Sequence, residues 1–296
     1  MKILTTIHSL DNIESFFSLA DGFILGDGRF AKTITHDFKD EIVVAIDTIF
    51  QAKKEVFVLF NKLFTDFEIE VVKSYVKSLP VEKITGFIGA DLGLLYMFKE
   101  LGLESKFVYN PETLLTNDED FNDLATYHIK GAYVSREITL NDVLEIGSLK
   151  KYQLFMFGHG HMAMFYSKRP LLTSFNSYQK KDDNLSFNET LRLKEKKRVN
   201  EEYPVYQDYA GTHVFRGHIF HTYPYINELS KVVDYLVIDT FLKDDAYGLD
   251  IIALYKGLKT IDEINLKYQE TYHDAFLTNE VTIKGEENDW IISTGR

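Results

Sequence analysis

Seven short apolar runs in the first 160 residues, separated by segments of helical period, restrict the fold of this chain more than any other property. They are Lys2–Thr6, Gly22–Gly26, Glu55–Phe60, Ile84–Gly89, Ser105–Tyr109, Lys130–Ser135 and Gln153–Gly158, and they start some 20 to 33 residues apart. That is the length a strand, a covering helix and two loops need if successive strands are to run parallel. The intervals fit. Within Asp37–Lys53, the residues Phe38, Ile42, Ala45, Ile46, Ile49 and Phe50 share one helical face behind an Asp37 cap, and Phe67–Leu79 and Leu92–Leu101 show the same period. Ser9–Phe17 opens with Asp11 three residues before Glu14, a capping-box variant. An eighth run, Tyr235–Asp239, precedes a helical pattern around Asp250–Leu258. Eight strands alternating with helices predict an α/β fold of the TIM-like (β/α)8 type. A doubly wound open sheet has the same local pattern, and the count of eight favours the barrel.

The interval from Gly158 to Tyr235 is too long for one helix. It holds the charged stretch Lys180–Glu202 and then a hairpin pattern, Tyr203–Gln207 and Thr212–Arg216, turning through Asp208-Tyr209-Ala210-Gly211. We read a barrel over residues 1–260 carrying an insertion, 168–225, between strands seven and eight at the catalytic end. A C-terminal extension, 261–296, contains one more β-rich run, Glu280–Lys284.

Composition narrows the chemistry. With 33 basic against 45 acidic side chains the net charge is −12, so the summed field repels polyanions, and nucleic acid would need a local basic patch or a basic partner. The basic cluster is Lys180, Lys181, Arg192, Lys194, Lys196, Lys197 and Arg198, diluted by Asp182, Asp183, Glu189 and Glu195, which reads as a solvated loop. The sequence has no cysteine, hence no disulfide, thiolate nucleophile or cysteine-ligated iron–sulfur cluster of its own. No apolar stretch of about 18 residues and no signal-peptide pattern occurs, so a cytoplasmic protein without membrane contact is expected.

In a barrel the residues at the carboxyl ends of the strands form the site. That set is Thr6, His8, Asp27, Asn61, Lys62, Asp91, Asn110, Arg136, Glu137, His159, His161 and Asp239. The densest part is Phe157-Gly158-His159-Gly160-His161, followed by Ser167-Lys168-Arg169. Two histidines at i, i+2 face one ligand if the segment is extended, and His213, His218 and His221 lie in the insertion. A divalent metal held by His159, His161, His213 and Asp239 or Glu137 is one reading. Histidines in a glycine-rich loop that merely bond to the backbone are the other. Arg136 has the geometry to hold a carboxylate or phosphate bidentately, with Glu137 steering it. Lys62 and Arg169 are further anion contacts, and Asn61, Asp91 and Asn110 further binding residues.

Gly131–Leu140 with Ser135-Arg136-Glu137-Ile138-Thr139-Leu140, and Phe155–Ser174 with Gly-His-Gly-His and Ser-Lys-Arg-Pro-Leu-Leu-Thr, resemble the collagenase-like peptidase family U32. Gly22–Phe30, Asn61–Phe64, Asn110-Pro111-Glu112-Thr113 and Tyr203-Pro204-Val205 fit the same pattern, and the resemblance spans roughly residues 1–260. It implies a barrel. It also implies kinship with subunits of hydroxylation systems acting on transfer-RNA wobble uridine, ribosomal RNA or quinone precursors, many of which carry iron–sulfur cysteines. Here His161 and a residue near Lys168 stand at the signature cysteine positions. The chain is most similar to a cysteine-free branch that pairs with a cysteine-bearing paralogue in transfer-RNA uridine 5-hydroxylation. Three readings follow: such a subunit, binding transfer RNA through the complex and a small anionic metabolite in its pocket; a metal-assisted peptidase or other hydrolase using His159, His161 and Glu137; or a structural partner without catalysis.

Overall fold

The computed structural model describes residues 1–278, so the expected run Glu280–Lys284 lies outside the described residues. Eight strands close into a parallel barrel: β1 (Lys2–Thr5), β2 (Gly22–Gly26), β3 (Glu55–Phe60), β4 (Gly86–Gly89), β5 (Phe107–Tyr109), β6 (Gly131–Tyr133), the first half of β7 (Gln153–Ser167), and a later strand, Tyr235–Ile238, that pairs with both β7 and β1. The open-sheet alternative is therefore set aside. Each strand sends one apolar set inward, Leu4, Ile24, Phe57, Ile88, Val108, Tyr133, Phe155, Tyr235 and Val237, to fill the barrel. Phe155 lies flat on Tyr235 with ring centroids 4.4 Å apart, and Phe57 meets both edge-on, plugging the interior.

The opposite faces pack on helices α1 (Ile13–Phe16), α2 (Ile42–Gln51), α3 (Asp66–Ser78), α4 (Leu92–Glu100), α5 (Asp118–Asp123) and α6 (Leu140–Leu149). Reciprocal capping boxes start two of them, Thr65 with Glu68 on α3 and Thr139 with Asp142 on α6. The expected Asp37 cap is corrected. Helix α2 begins only at Ile42, and the Asp37 carboxylate instead accepts from the Gly28 and Lys39 amides, holding the loop before the helix. The Asp11–Glu14 box does not form either, because Ser9 caps that turn by accepting from the Asp11 amide.

The seventh strand differs most from expectation. Instead of ending at Gly158, β7 continues through the glycine–histidine segment to Ser167, leaving the barrel and pairing antiparallel with β10 (Gly211–His221). Beside it lie α7 (Leu171–Tyr178), β8 (Arg192–Glu195) and β9 (Arg198–Asp208), so the outer sheet runs β7-β10-β9-β8. The expected hairpin exists and is longer at both ends. Much of the supposed basic loop is strand. After α8 (Ile226–Leu229) comes the closing strand β11 (Tyr235–Ile238), then α9 (Asp245–Tyr255), α10 (Ile261–Tyr268) and β12 (Tyr272–His273), which pairs with β10. Among the described residues no helix is long and apolar enough to cross a membrane.

Candidate functional site

The carboxyl-terminal mouth of the barrel holds a cavity of about 70 Å³ lined by Thr6, Lys32, Asn61, Glu112, Arg136, His161, Tyr166, His213 and Asp239 among others. Loops fix most of these groups. Asn61, at the end of β3, accepts from the Lys32 amide at 2.8 Å and donates to its carbonyl at 3.2 Å, so it clamps the loop after β2. Asn110, after β5, accepts from the Glu112 amide at 3.2 Å, and Glu112 takes a positive φ of 63° that turns the chain toward the mouth. Lys32 Nζ then lies 3.1 Å from Glu112 Oε1 and 4.3 Å from the Tyr166 ring centroid. His213 is stacked on Tyr166, centroids 5.0 Å apart, and meets Asp208 Oδ1 at 3.0 Å.

Arg136 stands apart from this satisfied network. Its guanidinium lies 4.4 Å from the Phe157 ring centroid, and its buried Nε has no hydrogen-bond partner. Among the described residues it makes no ion pair. Glu112 and Asp239 feel its field without touching it. Burial pushes the Glu112 carboxyl up, yet Arg136 and Lys32 outweigh this and hold it below its ordinary value. At Asp239 burial prevails over Arg136 and raises the carboxyl. Burial, helped by the Lys243 charge, pushes His161 down to about 4, so its imidazole is neutral at physiological pH. The mouth thus presents a half-buried guanidinium with no ion pair beside a carboxyl that holds its proton more tightly than usual.

A family model described as Peptidase family U32 matches residues 18–284. The chain belongs to peptidase family U32. The tRNA hydroxylation protein P2 of Bacillus subtilis (strain 168) is 22% identical over 293 residues, 98% of this chain and 90% of that relative. Among solved structures, the U32 peptidase Mk0906 is similar with a TM-score of 0.48 at 11% identity, covering 81% of this chain and 92% of that one. The Bacillus megaterium QM B1551 spore cortex-lytic enzyme SleL gives 0.42 at 8% identity, covering 86% and 73%.

In this U32 barrel the expected site residues separate into three groups. Asn61, Arg136, His161, His213 and Asp239 line the mouth. Asn110 shapes it from behind, and Glu137 is exposed on an adjoining cavity. The rest lie elsewhere: Lys62 Nζ is tied to the Arg29 carbonyl at 2.8 Å, Asp91 caps α4 by accepting from the Gly93 amide at 2.8 Å, and Arg169 is exposed. Lys62 and Arg169 are therefore not brought to the mouth.

The two histidines of β7 also part company. The pairing of β11 with β7 steps from Val237–Phe157 to Ile238–His159, leaving Gly158 as a one-residue bulge, and Gly160 takes a φ of 138°. A bulge re-aims every side chain after it. His159 is consequently buried in the outer layer, sharing a 2.7 Å hydrogen bond with Tyr247 of α9 and packed near Tyr255 and Tyr272. Burial pushes its imidazole well below the ordinary range. Among the described residues no three His, Asp or Glu side chains are placed to share a metal ion, so the donor set foreseen around His159 is not assembled. Sequence reasoning missed Lys32 and Glu112, although Glu112 lies two residues after Asn110 in a segment already singled out.

Proposed function

We propose that this chain is a subunit for transfer-RNA wobble-uridine 5-hydroxylation that acts with a cysteine-bearing paralogue, its mouth taking up a small anionic metabolite. The observation that carries this reading is Arg136, a half-buried guanidinium that lines the mouth and whose buried Nε has no partner. The relation to a protein named for transfer-RNA hydroxylation supplies the substrate class. In this reading Arg136 receives a carboxylate or phosphate, Lys32 supplies a second positive charge buffered by Glu112, and Asp239 holds or releases a proton beside the bound anion. The chain has no cysteine. Any iron–sulfur redox group would therefore come from the partner.

The test is to delete the gene and quantify 5-hydroxyuridine in bulk transfer RNA by mass spectrometry. A fall that the wild-type gene restores and Arg136→Ala does not restore supports the reading. Unchanged hydroxyuridine in the deletion strain overturns it.

A further inference from the structure

A second cavity, about 390 Å³, lies against the outer sheet and is lined by Arg198, Tyr203, Arg216, His218 and His273 with Glu201. A smaller cavity of about 150 Å³ lies next to both it and the mouth. The smaller cavity shares Arg136 and Glu112 with the mouth and shares Met164 and Arg216 with the outer cleft.

Arg216 is held as Arg136 is. Its guanidinium lies 4.8 Å from the Phe276 ring centroid, and among the described residues it has no ion pair. A ring face fixes the plane of a guanidinium while leaving its N–H donors unspent, whereas a carboxylate would both orient and neutralise it. At the outer end Arg198 reaches the Tyr203 hydroxyl at 3.3 Å and lies 3.8 Å from Glu195. The acids around these cavities are largely engaged. Lys32 pairs with Glu112, and Glu201 accepts from the Tyr203 hydroxyl within the fields of Arg198, His218 and Arg216. Glu137 remains exposed beside the smaller cavity. His218 and His273 face each other at 6.5 Å, 19° from parallel, offering flat rings and N–H donors. On a chain of net charge −12, three arginines set along these adjoining cavities interrupt a field that otherwise repels polyanions.

We propose that the outer cleft binds a single RNA strand, Arg216 and Arg198 each taking a phosphate so that the strand runs up to the cavity beside the mouth. The inference rests on the transfer-RNA reading above and adds to it the place where the substrate strand lies.

The experiment is ultraviolet cross-linking in cells, with the full chain expressed from its own locus alongside its native partners. The double variant Arg198→Glu, Arg216→Glu should cut cross-linked RNA about ten-fold or more, while Lys77→Glu on the exposed face of α3 leaves it unchanged. Arg216→Gln, which adds no charge, should give a smaller loss of the same direction with an unaltered melting temperature, separating lost contact from lost folding. Wild-type cross-linking in the double variant overturns the proposal, and so does an equal loss in Lys77→Glu. The two readings fail separately. If the charge reversals abolish cross-linking while gene deletion leaves 5-hydroxyuridine intact, the cleft stands and the hydroxylation role falls. If deletion removes the modification while the double variant cross-links and modifies normally, the cleft alone falls.

Discussion

The two ends of the barrel treat charge in opposite ways. At the amino-terminal end three lysines near strand starts are tied down. Lys106 Nζ donates to the Val81 and Ile84 carbonyls at 2.6 and 2.7 Å, Lys150 Nζ to the Val232 carbonyl and the Asp234 carboxylate at 2.6 and 2.5 Å, and Lys2 pairs with Glu55. At the mouth Arg136 keeps a buried donor without a partner. Charges whose valences are filled hold loops in place. A charge left unfilled costs stability and stays available to a ligand.

The largest expected effect breaks this contrast at the mouth. Arg136→Ala should lower cellular 5-hydroxyuridine by ten- to a hundred-fold, the worth of about 1.5–3 kcal/mol of charge-assisted hydrogen bonding, with a melting temperature equal to or above wild type. A clear fall in melting temperature would show that Arg136 is structural after all. Gly160→Ala should destabilise by about 2–3 kcal/mol in chemical denaturation, because a Cβ there falls 2.5 Å from the Asp239 carbonyl oxygen at a φ of 138°. Lys106→Met at the other end should cost about 1–2 kcal/mol through two stranded carbonyls and leave modification per folded molecule unchanged. Acid should sharpen the picture further. His161 is at about 4 when folded against an ordinary 6.5, so between those values the unfolded chain binds the extra proton. Stability should then fall as pH drops from about 6.5 toward 4, with His159 and His221, also lowered by burial, adding to the slope. Thermal melts across that range check the sign. The smallest effect is expected from exposed Arg169→Ala, within about 0.5 kcal/mol and without loss of modification.

How far the sequence was legible follows from which physical signal each feature leaves. The barrel strands are apolar on both faces because one face fills the barrel and the other meets helices, so they read as short unbroken apolar runs. The far half of β7 carries no such run at its start, since Gly158, His159, Gly160 and His161 imitate a loop. Reading His159 and His161 as one face assumed strict alternation, which the Gly160 backbone between them, at a φ of 138°, does not keep. Bulges have no compact signature in a single sequence. Arg136 was legible because it directly follows the run Lys130–Ser135. Lys32 was not, since it enters the mouth only through the grip of Asn61 on its backbone.

The length of β7 has a mechanical consequence. One unbroken strand serves as a stave of the barrel and as the root of the outer sheet, so the two cannot be displaced independently. Close-packed interiors transmit small movements rather than absorb them. Force applied to the rim of β8, β9 and β10 therefore enters the barrel through the segment between Gly158 and Ala163, which carries His161 at the mouth.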